Sequence, residues 1–95
     1  MGSEQVLILA TFGSRDEAER AGEKLVELQL VGTGAVIPTV HTFHFREGRM
    51  HRNHEALLLL QTSVERVREV QQLILAESPE AAPQTLSIAV DLAAR

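Results

Sequence analysis

Two stretches of the chain are apolar at every position, Val6-Leu7-Ile8-Leu9-Ala10 and Ala56-Leu57-Leu58-Leu59-Leu60. Short runs without polar interruption predict strands covered on both faces, and so central in a sheet. Two further stretches have a different character. Ala35 to Phe45 is rich in Val, Ile, Thr, His and Phe, alternates weakly and contains Pro38. Proline has no N–H to give to a ladder, which predicts an edge strand or a bulge there. Near the C-terminus, Leu86, Ile88 and Val90 alternate with Thr85, Ser87 and Ala89, the period of a half-buried edge strand.

The remaining periodic segments predict two helices. Ser14-Arg15-Asp16-Glu17 has the spacing of a capping box, and Ala18, Ala21, Gly22, Leu25 and Leu28 make one apolar stripe. This helix is expected to end near Leu30, ahead of Gly32 and Gly34. Thr62-Ser63-Val64-Glu65 repeats the capping spacing. Val64, Val67, Val70, Gln71 and Ile74 follow as an inner face, and Pro79 places the helix end at or before Ser78. Glu77 to Pro83 reads as a polar connection into the last strand.

The resulting order is strand, helix, strand, strand, helix, strand. It predicts an α+β, ferredoxin-like βαββαβ sandwich with an antiparallel sheet of order 4-1-3-2 and both helices on one face. That order puts the two all-apolar strands in the centre and the proline-bearing and alternating strands at the edges, so local pattern and topology agree. One sheet face is then left without helices. Continuous apolar strands need cover on that side too, which predicts self-association.

Length and composition narrow the class. Ninety-five residues make one domain. Residues 1–4 are expected to be a disordered or tag-derived N-terminus, 5–91 the folded domain and 92–95 a tail. With no cysteine, disulfides, thiolate metal sites and cysteine nucleophiles are excluded, in keeping with a cytoplasmic location. No apolar run approaches the ~18 residues of a membrane span, and the first residues lack a signal-peptide pattern, so no membrane partner is expected. The net charge is −4, with both signs interspersed and no basic stripe, so no nucleic-acid partner is expected either.

Several segments share one family pattern: Val6-Leu7-Ile8-Leu9-Ala10-Thr11, the helix from Glu17 through Val26, and Gly34 to Val40. They continue with Phe45-Arg46-Glu47-Gly48-Arg49, Ala56 to Thr62, Ser78-Pro79 and Pro83. In these residues the chain resembles the CutA family of divalent-cation tolerance proteins. The resemblance implies a tight homotrimer, a fold similar to the PII signalling proteins, and a binding role linked to copper and other divalent cations. There are departures from the family pattern. Gly34-Ala35-Val36-Ile37 stands where the family carries Ala-Cys-Val-Asn, and Gln61 replaces a lysine. Ser78 to Gln84 keeps Pro79 and Pro83 of a motif whose His, Tyr and two Glu are replaced.

The residues suited to metal chemistry are four histidines within one short window, His41, His44, His51 and His54. If Glu47-Gly48 is a two-residue turn, Arg46 faces Arg49, His44 faces His51 and His41 faces His54. Directly opposed Cβ atoms lie about 4.5–5.5 Å apart, a spacing at which two imidazoles can share Cu²⁺ or Zn²⁺. The two pairs differ in parity and point to opposite faces, giving two candidate sites, with Glu47 or Glu55 as further oxygen donors. A bulge at Pro38 would disturb part of this register. A solvated polar hairpin without metal is the plainer alternative.

Other chemistry is poorly provided for. Neither phosphate-cradling glycine motif is present, Ser14, Ser63 and Ser78 are capping or loop residues, and no acid/base pair is visible, so no enzyme is expected. Arg46, Arg49 and Arg52 near the hairpin tip are candidates for anion or partner contact. The reading is a CutA-like homotrimeric binding protein, with a PII-like module for a small anion or protein partner as the alternative.

Overall fold

The computed structural model describes residues 4–86, and for residues 82–86 the backbone only. The elements are β1 (Gln5–Phe12), α1 (Arg15–Glu27), β2 (Thr33–Arg46), β3 (Arg49–Ser63), a 3-10 turn (Val64–Arg66), α2 (Val67–Glu77) and β4 (Ala82–Leu86). The sheet runs β2-β3-β1-β4 with antiparallel neighbours throughout, the expected order. Ser87 to Val90 of the expected last strand, and the proposed tail 92–95, lie outside the described residues. β4 starts at Ala82, so Pro83, expected in the connection, stands in the strand opposite Ala10. An edge position tolerates its missing N–H.

Alternation along β1 separates the faces: Val6, Ile8, Ala10 and Phe12 are buried, and the residues between them are half-buried. On β3, Ala56, Leu58, Leu60 and Thr62 are buried in the same way. Of these, Ile8, Ala10, Phe12, Ala56, Leu58 and Leu60 meet Ala18, Ala21 and Leu25 of α1 and Val70 and Ile74 of α2 in one core. The other face, with Leu7, Leu9, Leu57 and Leu59 half-buried, carries no helix among the described residues. The all-apolar strands are thus central, but their second face is covered only in part.

Ser14 caps α1 as expected, its hydroxyl accepting from the Glu17 amide at 3.2 Å. The helix stops at Glu27, earlier than Leu30, because Gln29 takes φ 60°. The Gln29 amide donates to the Val26 carbonyl and the Leu30 amide to the Leu25 carbonyl, a Schellman closure. Leu28, expected in the inner stripe, becomes the C-cap and is 53% exposed. The second capping box does not form. The Thr62 hydroxyl donates instead to the Leu30 carbonyl at 2.7 Å, and Ser63 makes no side-chain cap. The chain enters α2 through the 3-10 turn, which leaves Val64 on the surface rather than on the inner face.

Candidate metal site on the β2–β3 hairpin

Two local devices position the histidines. Glu47 and Gly48 both have positive φ, at 56° and 74°, the condition for the two-residue type I′ turn whose twist matches the flanking strands. This turn sets the pairs Arg46↔Arg49, His44↔His51 and His41↔His54. Closer to the body of the sheet, Ile37 pairs with Leu57, a register one residue different. The mismatch is absorbed between Ile37 and Val40, where Pro38 and Thr39 share the space opposite Ala56. The bulge lies on the body side of the histidines and leaves their pairing intact. Continued through the hairpin, the body register would set His41 against Asn53 and His44 against Met50.

The faces then follow from pleating. His54 shares parity with buried Ala56, so the His41–His54 pair lies on the helix side of the sheet, beyond the helices. Phe43↔Arg52 and Phe45↔Met50 follow on that face toward the tip. Phe43 is 67% and Phe45 69% exposed. The opposite face carries Val40↔Glu55, Thr42↔Asn53, His44↔His51 and Arg46↔Arg49.

The two histidine pairs differ in chemistry. His41 and His54 have ring centroids 4.3 Å apart with planes inclined by 31°. Among the described residues no hydrogen bond ties either ring, so nitrogens of both are free to turn toward a shared cation. His44 and His51 are stacked at 5.4 Å and 11°. Here Nη2 of Arg46 lies 2.9 Å from Nε2 of His44. A guanidinium only donates, so this nitrogen accepts and the ring proton sits on Nδ1. A cation at His44 would have to displace one guanidinium and sit beside another.

The carboxylates do not join either pair. Glu55 is on the face opposite His41 and His54, where its Oε2 accepts from the Thr42 hydroxyl. Glu47 is in the turn. Among the described residues, no group of three or more His, Asp or Glu side chains is arranged to hold a metal. Each chain's hairpin therefore supplies two imidazoles at most to one ion, and His41 with His54 is the pair whose donors fit a divalent cation. The pairing was legible in the sequence; the exclusion of Glu55, and of His44 by Arg46, was not.

A ferredoxin-like sheet with an elongated, histidine-bearing hairpin defines a small α+β domain in which the second and third strands reach beyond the core. The sequence matches the family of the CutA1 divalent ion tolerance protein over residues 6–95, and the chain belongs to that family. Solved structures of similar fold include the divalent cation tolerance protein Cut A1 from Thermus thermophilus. It is 22% identical with a TM-score of 0.83, covering 95% of this chain and 89% of that one. CutA from Xylella fastidiosa is 21% identical with a TM-score of 0.83, covering 97% and 90%. The periplasmic divalent cation tolerance protein CutA from Archaeoglobus fulgidus is 23% identical with a TM-score of 0.81, covering 93% and 87%. No curated protein sequence matches the chain.

Proposed function

We propose that this protein is a homotrimeric, non-enzymatic binding protein of divalent-ion tolerance, taking Cu²⁺ or Zn²⁺ between His41 and His54. The observation that carries the reading is the 4.3 Å cross-strand approach of two imidazoles that have no other partner among the described residues. Family membership supports divalent-ion tolerance as the setting. Imidazole suits both metals, and two ring nitrogens leave coordination positions for water or for ligands of a second copy. The trimer is supported by the helix-free face, where Leu7, Leu9, Leu57 and Leu59 lie beside exposed Ile37. A binding role is supported by the use of the polar groups: Ser14 is engaged as a helix cap, and the histidines pair with one another.

The test is calorimetric titration of metal-stripped protein with Cu²⁺ and Zn²⁺, beside a His41→Ala/His54→Ala variant, with mass measured on the same sample. Saturable binding at integral stoichiometry per subunit, lost in the variant, supports the site. Binding indifferent to these two histidines refutes it.

A further inference from the structure

The second face of the hairpin carries a group of side chains that the metal reading does not use. Arg46 and Arg49 stand directly opposite one another across the turn, and His44 and His51 form the next such pair on that face. The two pairs are two residues apart along each strand, about 7 Å. Like charges directly opposed across a ladder destabilise a hairpin. Among the described residues no carboxylate offsets this repulsion. Arg15 pairs with Asp16 and Glu19, and Lys24 with Glu77. Neither Arg46 nor Arg49 is among them, and Glu47, although it lies in the turn, pairs with neither.

Two further observations mark this face. The one side-chain hydrogen bond of Arg46 among the described residues is to His44, which leaves most of its five guanidinium donors unused. His51 has a buried Nε2 without a hydrogen-bond partner among them. Buried polar atoms are nearly always satisfied, so an orphan of this kind calls for a ligand or a solvent partner. Arg52, grouped with the other two in the sequence, is opposite Phe43 on the other face and takes no part.

We propose that Arg46 and Arg49, with His44 and His51 alongside, form an oxyanion site for a tetrahedral phosphate group. Two guanidiniums offer planar forks of donors that match phosphate oxygens, and a doubly charged anion between them converts their repulsion into attraction. The same positive charge disfavours a metal ion here, so the hairpin carries sites of opposite preference on its two faces. This site stands independently of His41 and His54. Phosphate as the free ion and phosphate as a monoester share the recognising chemistry.

The probes are inorganic phosphate and AMP, titrated at constant ionic strength into metal-stripped protein and followed by the ring signals of His44 and His51. Saturable millimolar or tighter binding is expected, weakened about tenfold in Arg49→Gln and unchanged in Arg52→Gln. Tighter binding of AMP assigns a monoester; equal affinity assigns the phosphate group alone. The Arg49 side chain makes no hydrogen bond or ion pair among the described residues, and relief of repulsion should leave the thermal midpoint of Arg49→Gln, without phosphate, at or above that of the parent. Absence of saturation overturns the proposal, and so does equal weakening by Arg52→Gln, which would mean unspecific attraction to a basic tip.

Discussion

Gly22 of α1 lies so close to Leu58 of β3 that a Cβ at position 22 would stand 2.9 Å from Cδ1 of Leu58. Both residues are buried. The glycine lets the helix settle onto the central strand, and the contact helps to set the distance between the helical layer and the sheet.

Gly22→Ala therefore has two opposed effects. Alanine is the better helix former by about 1 kcal/mol. The added methyl group crowds Leu58, and overpacking of this kind costs about 1–3 kcal/mol. Leu58 is buried and its Cδ1 must move to admit the methyl group, so overpacking is expected to prevail by about 1 kcal/mol. Urea denaturation at fixed protein concentration checks this, and a variant as stable as the parent would show that Leu58 can repack.

The type I′ turn yields a prediction about hairpin register. Glu47 holds φ 56° without the ease of Asn or Gly in that region, and Gly48 holds φ 74°. Glu47→Asn should stabilise the protein by about 0.5–1 kcal/mol, and Gly48→Val should cost about 1–2 kcal/mol. The second variant should also broaden the His41 and His54 ring signals in NMR spectra, because the turn sets their pairing. Sharp, unshifted histidine signals in Gly48→Val would assign the register to the strands instead.

Elements with strong local signals were legible in the sequence. The apolar runs, the Ser14 cap, the two-residue turn and the effect of Pro38 each follow from a single stretch of chain, and together they give the sheet order and the histidine pairing. Features decided by tertiary partners were not legible. Thr62 has the spacing of a capping residue, but its hydroxyl serves the Leu30 carbonyl left over at the end of α1. Leu28 has the periodicity of a core residue, but Gln29 enters the left-handed region and ends the helix beneath it. For the site, spacing along the chain suggested Glu55 as a ligand, and strand parity removed it.

The helix-free face predicts what breaks the assembly. Leu59 is central there, paired with Leu9 on one side and Ala35 on the other, and half-buried in the single chain. Leu59→Glu places a charge where association would bury it, a change that a monomer tolerates but an apolar interface does not. Sedimentation velocity should show a trimer for the parent and a monomer for Leu59→Glu, with helical content retained. A variant that keeps its mass would exclude this face as the interface.

The last prediction separates the two histidine pairs, which look equivalent in sequence but differ in their neighbours. His51→Ala removes one ring from the face where Arg46 already occupies Nε2 of His44. It should leave the Zn²⁺-induced rise in thermal midpoint nearly unchanged. His54→Ala leaves His41 as a lone imidazole and should abolish most of that rise. A ligand that binds only the folded state stabilises it by about 2.7 kcal/mol at one hundred times its dissociation constant, so the loss is large enough to measure. Without metal, His54→Ala should unfold within about 0.5 kcal/mol of the parent, since His54 is exposed and its ring holds no hydrogen bond among the described residues. If His51→Ala removes the rise and His54→Ala does not, the metal sits on the arginine face, and repulsion from Arg46 and Arg49 does not decide between the pairs. If neither variant alters the rise, the ion is held away from the hairpin.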